Sequence, residues 1–281
     1  MDDESILFPA SKRFPERVSR WQRISGKPLE QVRRKMTVTV KYALPPPFLC
    51  PDGVKIAFVS DLHYTGNEKS RLIADEIISV LKEEKCDLLL LGGDICADAS
   101  HLKYLPDILS RLGECAEKCI AIAGNWERGK FWLPADYWHQ LYQKYNISFL
   151  VNAQEKFRNI TVTGVDDCGR GFPQLPCAFD RSSCNILLAH RPDTAVWLDS
   201  SDDELKNCHL ALCGHTHGGQ IKFIRGLLPA SKYGWDFDHG FFNHRLNNTK
   251  MYVSSGAGEL TFPFRINCPR EIVIFSAAAE S

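Results

Sequence analysis

The sequence predicts a layered α/β sandwich, and three observations lead to this fold class. Short apolar runs alternate with helical patterns between residues 54 and 145, and strand patterns dominate after residue 147. The chain has 281 residues, 44% of them hydrophobic, and is long enough to bury one deep core. Early alternation of strand and helix followed by a strand-rich half is typical of sheets packed in layers with helices outside.

The first element of the main domain is a strand at residues 37–42, where β-branched residues alternate before three consecutive prolines. Helices are expected between the early strands, near residues 69–84, 102–112 and 134–145. Further strands are expected at residues 54–60, 87–91, 120–123, 147–151, 160–165, 185–189, 209–213, 220–223, 251–254 and 271–275.

Residues 1–35 form a basic segment ahead of the main domain of residues 36–281. Phe14, Val18 and Trp21 follow one another at helical spacing with arginines around them. As a helix, this segment suits an anionic membrane surface. The alternative is a solvated helix that packs Trp21 on the main domain.

Composition narrows the class of protein. The formal net charge is zero, so no overall field favours nucleic acid as a partner. Eleven cysteines without a C-x-x-C pair fit a reduced protein better than a disulfide scaffold. No run approaches the roughly 18 apolar residues that span a bilayer, and the charged start is not a signal peptide. We expect a cytoplasmic protein that lies peripherally on the inner face of the membrane.

Candidate metal ligands stand in short clusters, each at the end of an apolar run. Such positions present side chains at the carboxyl edge of a sheet, where α/β folds place their sites. A mixed set of nitrogen and oxygen donors without sulfur suits Mn, Fe, Zn or Co. Together these clusters predict a site for two metal ions. The seven candidates are Asp61, His63, Asp94, Asn125, His190, His215 and His217.

These clusters resemble the motifs of the calcineurin-like metallophosphoesterases, which read D-x-H, G-G-D, G-N-H-[DE], a later His and G-H-x-H. The resemblance implies a four-layer α-β-β-α sandwich of two mixed β-sheets flanked by helices. It also implies two divalent ions, with manganese the first expectation and zinc, iron or cobalt as alternatives. One ion would be held by Asp61, His63, Asp94 and His217, and the other by Asp94, Asn125, His190 and His215.

Finer features resemble one branch of that family, the membrane-associated phosphodiesterases. They include the run from Gly214 to Gln220 and the sequence His190-Arg191-Pro192. The branch contains a UDP-2,3-diacylglucosamine diphosphatase of lipid A biosynthesis. The resemblance therefore implies a lipid-linked nucleotide sugar as substrate, with UMP and 2,3-diacylglucosamine 1-phosphate as products.

One departure from the family pattern affects the chemistry. Trp126 stands where the family has the His of G-N-H-[DE], which stabilises the transition state or protonates the leaving oxygen. Phosphate leaves a pyrophosphate readily as an anion, whereas an alkoxide needs a proton, so the exchange favours an anhydride substrate. Alternatively, Arg128 or Arg191 supplies the missing positive charge. We expect Asp94 and Arg128 to be catalytic.

Further residues are expected to bind the substrate because they lie beside the predicted site or follow it in an aromatic run. They are Trp126, Arg128, Phe131, Trp132 and Arg191. Two other functions stay open. One is a general metal-dependent phosphodiesterase or nucleotidase with a non-lipid substrate, and the other is a catalytically silent metal-binding scaffold.

Overall fold

The computed structural model describes residues 15–44, 53–129, 133–199, 204–220, 236–259 and 264–277. Within these ranges, the strands are β1 (Trp21–Ile24), β2 (Glu30–Arg33), β3 (Thr37–Leu44), β4 (Lys55–Val59), β5 (Leu88–Leu91), β6 (Lys118–Ile122), β7 (Ile147–Leu150), β8 (Ala153–Phe157), β9 (Ile160–Gly164), β10 (Cys184–Leu188), β11 (Leu210–Cys213), β12 (Gly240–His244), β13 (Lys250–Val253) and β14 (Arg270–Ala277). The α-helices are α1 (Pro15–Ser19), α2 (Glu68–Glu84), α3 (Leu105–Leu112), α4 (Asn125–Gly129), α5 (Ala135–Gln143) and α6 (Pro192–Leu198).

The strands form two mixed seven-stranded sheets. The first sheet has the order β1-β12-β13-β11-β10-β9-β8, and the second has the order β2-β3-β14-β4-β5-β6-β7. Strands β4, β5, β6 and β7 are parallel neighbours in the second sheet, and β9, β10 and β11 are parallel neighbours in the first. The carboxyl ends of each parallel set therefore meet at one edge of its sheet.

Alternate residues of the central strands face opposite sides of the sheets, and the buried clusters follow this alternation. Phe58 and Leu90 of the second sheet share one buried cluster with Ile186 and Leu212 of the first, which is the core between the sheets. Helices α2, α3 and α5 cover the outer face of the second sheet. Helix α6 covers the outer face of the first sheet. The predicted four-layer α-β-β-α sandwich is confirmed.

The helix expected within residues 11–35 is wrong over most of the described part of that segment. Only the five residues of α1 are helical, and Trp21 begins strand β1. β1 pairs antiparallel with β12 at the edge of the first sheet, and β2 pairs antiparallel with β3 in the second sheet. Trp21 is buried, with its ring 4.9 Å from that of His244. Burial of this indole and backbone pairing outweigh the local helical spacing. A membrane-facing role for the segment stays a prediction.

Other expectations need adjustment as well. The strand expected at residues 220–223 lies almost wholly outside the described residues, since only Gln220 is described. Strands β8 and β12 were not predicted. Within the described ranges, no cysteine forms a disulfide. The helices described here include none whose length and apolar character suffice to cross a membrane.

Candidate metal centre

The candidate ligands lie just beyond the ends of five parallel strands. Asp61 and His63 follow β4, Asp94 follows β5, and Asn125 follows β6 and begins α4. In the opposite sheet, His190 follows β10, and His215 and His217 follow β11. The two facing sheets thus bring all seven side chains to one place, although they span more than 150 residues of sequence.

The first group of ligand atoms consists of one carboxylate and two imidazoles. The Nε2 atoms of His63 and His217 are 3.1 Å apart, and His217 Nε2 is 3.5 Å from Asp61 Oδ1. All three side chains are buried. Their ligand atoms lie within 4.8 Å of one another, which is the spacing that one shared cation requires.

The second group has four members. His190 Nε2 is 3.2 Å from Asp94 Oδ2, 3.2 Å from His215 Nδ1 and 3.0 Å from Asn125 Oδ1. Asp94 Oδ2 is also 3.8 Å from His63 Nε2, so this oxygen lies between the two groups. The side chains of the two implied ligand sets thus lie together, with Asp94 Oδ2 between the two groups, and their binding of metal ions stays a prediction.

The electrostatics of the site fit cations. Asp61 Oδ1 is buried and accepts no hydrogen bond from the described residues. Burial raises the pKa of Asp61. Burial also opposes charge on His190, but the charge of Asp94 outweighs it and raises the pKa of His190 to about 10. The negative electrostatic potential that stabilises a proton on this imidazole would also stabilise divalent ions. The nitrogen and oxygen donors of the site suit such ions as ligands.

The ligands are held in a strained backbone. Left-handed φ values are rare for residues other than glycine and cost on the order of 1–3 kcal/mol each at sites where the surroundings impose them. Gly93 has φ +89°, and a Cβ there would lie 2.4 Å from the backbone nitrogen of Gly124, so no other residue fits. Backbone hydrogen bonds from Asp61 to Gly93 and from His63 to Asp94 stabilise these turns. The ligands with φ between 45° and 70° are Asp61, His63, Asp94, His215 and His217.

Glu127 is a residue of the site to which sequence reasoning gave no role. Its buried carboxylate accepts hydrogen bonds from the backbone N–H groups of Asp94, Ile95 and Gly124, each at 2.9 Å. Burial and the charge of Asp94 raise the pKa of Glu127 to about 7. Glu127 therefore fixes the turn that carries Asp94. Its place directly after Trp126 in the G-N-x-E run was the available signal.

Arg265 is a second such residue. Its guanidinium lies 3.2 Å from His217 Nδ1 and donates hydrogen bonds to the carbonyl oxygens of Ser255 and Gly258, both at 2.6 Å. Burial lowers the pKa of Arg265. The side chain joins the loops after β11 and β13 beside a metal ligand. No motif in the sequence marked it.

Three of the predicted substrate residues lie within the described part of the chain, and each contacts the candidate site or a neighbouring carboxylate. The backbone N–H of Trp126 donates to Asp94 Oδ1 at 2.8 Å, and the Trp126 ring centroid is 5.3 Å from that of His63. Arg128 forms a two-pronged ion pair with Asp166, with distances of 2.7 and 2.9 Å. Arg191 is buried and donates to Asp167 Oδ1 at 2.9 Å. The roles of these residues stay predictions. Phe131 and Trp132 lie outside the described residues.

Comparison with known proteins agrees with this geometry. The family model described as calcineurin-like phosphoesterase matches residues 54–219. The chain is 30% identical over 230 residues to Phosphodiesterase YaeI of Escherichia coli, covering 78% of this chain and 80% of that protein. It is also 30% identical over 240 residues to an uncharacterized metallophosphoesterase of Campylobacter jejuni, covering 79% of this chain but only 59% of that protein.

Among solved structures, a dimetal phosphatase from Danio rerio has a TM-score of 0.47 at 10% identity, covering 73% of this chain and 88% of that one. The family match spans the strands that carry all seven candidate ligands, from β4 to the loop after β11. With two groups of buried metal-binding side chains, the chain belongs to the calcineurin-like phosphoesterase family and is a metal-dependent phosphoester hydrolase.

Proposed function

We propose that this protein is a dinuclear pyrophosphohydrolase that cleaves UDP-2,3-diacylglucosamine to UMP and 2,3-diacylglucosamine 1-phosphate, with Mn²⁺ as the first candidate metal. The observation that carries the proposal is Trp126 beside the metal centre, where the family motif has His. The proposal includes action at the cytoplasmic face of a membrane, where a lipid-linked substrate resides.

Trp126 limits which leaving groups the site can serve. An indole ring has no group that gives up a proton near neutral pH, so it cannot act as a general acid. General acid catalysis contributes about 10²–10⁴-fold when the leaving group is an alkoxide. A phosphate that leaves an anhydride carries its own stabilised negative charge and needs much less of this help. The exchange of His for Trp therefore favours P–O–P over P–O–C cleavage.

Two divalent ions in the ligand groups would supply Lewis-acid charge to the phosphoryl oxygens and an activated water. The side chains of the protein do the rest. Asp94 joins the two groups, and Glu127 holds the turn on which it stands. Arg128 and Arg191 would offset the negative charge that builds on the phosphate oxygens. Their partners Asp166 and Asp167 fix both guanidinium groups in position.

An exposed aromatic residue connected to Arg128 through Asp166 supports a lipid substrate. The Phe172 side chain is 75% exposed, and its backbone N–H donates to Asp166 Oδ2 at 3.1 Å. Asp166 in turn holds Arg128. Phe172 and the predicted phosphate-binding residue Arg128 thus contact the same carboxylate, that of Asp166. Contact with the acyl chains of a substrate would remove the Phe172 ring from water, which is favourable in free energy.

A second candidate is a general phosphodiesterase, favoured by the similarity to a protein named a phosphodiesterase. A substrate panel separates the candidates. Purified protein with added Mn²⁺ is assayed on UDP-2,3-diacylglucosamine, UDP-glucose, bis-p-nitrophenyl phosphate and p-nitrophenyl phosphate. Asp94→Asn is the matched control, since it removes one charged ligand oxygen with little change in shape.

Among the compounds of this panel, we expect the highest kcat/KM on UDP-2,3-diacylglucosamine, with release of UMP. Asp94→Asn should lose that activity. A higher kcat/KM on UDP-glucose would support cleavage of a pyrophosphate bond but would contradict a lipid-linked substrate. Strong turnover of bis-p-nitrophenyl phosphate with none of the anhydrides would establish the phosphodiesterase instead. Bound metal with no turnover of any compound would indicate the silent scaffold.

A further inference from the structure

A cleft of about 440 Å³ lies beside the metal centre and serves no part of the proposed reaction. Residues 33–38, which join β2 to β3, form one wall. Residues 264, 265 and 267–270, which lead into β14, form another. Lys69 at the start of α2 and Glu259 complete the described lining. The basic segment singled out in the sequence thus contributes a wall of this cleft.

The lining is strongly positive. Among the described residues that line the cleft, Glu259 is the one carboxylate, and it is shared by Lys69 at 2.7 Å and by Arg270. Burial and the charge of Arg270 lower the pKa of Lys69, as expected where cations crowd together. The six cationic residues of the lining are Arg33, Arg34, Lys35, Lys69, Arg265 and Arg270.

The cations differ in how far they are neutralised. Arg34 pairs with Glu83 at 2.6 Å, outside the cleft. Arg33 and Lys35 are exposed and form no ion pair with the described residues. The field of these two side chains is therefore available to an anion that enters the cleft.

The cleft and the metal centre share Arg265. This side chain lines the cleft, and its guanidinium is 3.2 Å from Nδ1 of the candidate ligand His217. The lining also includes Phe264, which is 47% exposed. A cationic wall beside an exposed aromatic ring is typical of proteins that contact the headgroup region of a bilayer.

We propose that this cleft binds the phosphate group of an anionic ligand, supplied by a phospholipid headgroup or by a soluble organic phosphate. A planar guanidinium group matches two phosphate oxygens at once, and Arg33 supplies one in the same wall as the ammonium group of Lys35. The net charge of the lining excludes a cationic ligand. The inference concerns a site separate from the metal centre and stands whichever phosphate compound is hydrolysed there.

The test uses the full chain with its metals and two double variants. Arg33→Gln with Lys35→Gln removes the two cations without a described ion pair. Lys144→Gln with Arg181→Gln removes the same charge from exposed positions outside the cleft. Sedimentation with phosphatidylcholine vesicles, with or without phosphatidylglycerol, measures binding to an anionic lipid headgroup. Calorimetric titration with inorganic phosphate measures binding of a soluble phosphate. Both variants keep the metal centre, so phosphate bound there cancels in the comparison.

For a lipid headgroup, the cleft variant should bind phosphatidylglycerol vesicles about 25-fold more weakly than the control variant, since each of the two surface cations contributes roughly a factor of five. For a soluble ligand, the cleft variant should bind inorganic phosphate more weakly than the control variant, while both variants bind the vesicles equally. Equal losses in both double variants, or no binding of either probe by the unmodified protein, would overturn the proposal. Neither binding assay depends on hydrolysis. The cleft proposal can therefore fail or hold whether or not the protein hydrolyses UDP-2,3-diacylglucosamine.

Discussion

Replacing Glu127 by glutamine tests how the structure positions the metal-binding turn. The carboxylate of Glu127 accepts three backbone N–H groups at 2.9 Å, two of them on Oε2 and one on Oε1. The amide of the glutamine side chain would retain one oxygen and place an NH₂ donor where the other oxygen stood. With the amide oxygen at the Oε2 position, the N–H of Ile95 faces another donor and loses its acceptor.

The size of the effect follows from these contacts. A buried N–H left without an acceptor costs about 1–3 kcal/mol, and the two remaining bonds lose their charge assistance. Removing a buried negative charge beside Asp94 offsets part of the loss, because burial and Asp94 already disfavour that charge. We expect Glu127→Gln to lower the free energy of unfolding by about 2 kcal/mol. Glu127→Ala would leave three such N–H groups and is expected to prevent folding.

Urea unfolding at pH 8, where Glu127 is ionised, measures this difference. With a slope of about 3 kcal/mol per molar urea for a chain of this size, the midpoint should fall by roughly 0.7 M. Mn²⁺ affinity should fall as well, since Asp94 stands on the loosened turn. Glu114→Gln is the control because Glu114 is 73% exposed. If Glu127→Gln unfolds at the same urea concentration as this control, the anchoring role assigned to Glu127 is wrong.

The remaining predictions concern the leaving group, Arg265 and Glu271. Trp126→His should raise hydrolysis of an alkyl phosphate such as glycerol 3-phosphate, whose alkoxide needs a proton to leave, by up to about 10²-fold with little change on a pyrophosphate, and unchanged alkyl ester rates would contradict the role assigned to Trp126. Arg265→Lys should weaken one of two Mn²⁺ binding steps about tenfold in calorimetry, because an ammonium cannot hold both carbonyls and His217; two unchanged steps would contradict this. Burial alone would raise the pKa of Glu271, but the charge of His239 and hydrogen bonds hold it below its usual 4.5. The ionised Glu271 therefore stabilises the fold above pH 4.5, and this contribution is lost as pH falls below it. Glu271→Gln should remove this acid-dependent loss in a series of urea midpoints, and an unaltered pH profile would count against it.

The ligand positions could be predicted because two local signals coincide in the sequence. Strands β4, β5, β6, β10 and β11 are almost fully buried and appear as short apolar runs. Asp61, Asp94 and His190 follow such runs within a few residues, where a strand must end. Parallel pairing then places these side chains at one edge. No tertiary information was needed for this step.

The strained backbone of the site could not be predicted. Left-handed φ at Asp61 and His217 runs against the intrinsic preference of both residues. It exists because long-range hydrogen bonds impose it, for example from the His215 N–H to Asp61 Oδ2 at 2.9 Å. Such contacts join residues far apart in the chain, which local patterns do not reveal.

The edge strands and Arg265 were missed for related reasons. Strand β2 is mostly exposed and carries polar residues on both sides, so it shows no alternation. Strand β1 contains a buried Trp21 within a spacing that also fits a helix. Arg265 reaches the metal centre because β14 returns between β3 and β4. That crossover is a property of the sheet order, which the sequence alone left undetermined.

Seven side chains from the two sheets converge on a site that we expect to hold two divalent ions. Elemental analysis of the purified protein after incubation with Mn²⁺ and removal of unbound metal tests this expectation most directly. We expect two metal ions per chain, and fewer in Asp94→Asn because Asp94 lies between the two ligand groups. A protein that retains no metal ion, or whose metal content is unchanged by Asp94→Asn, would contradict it.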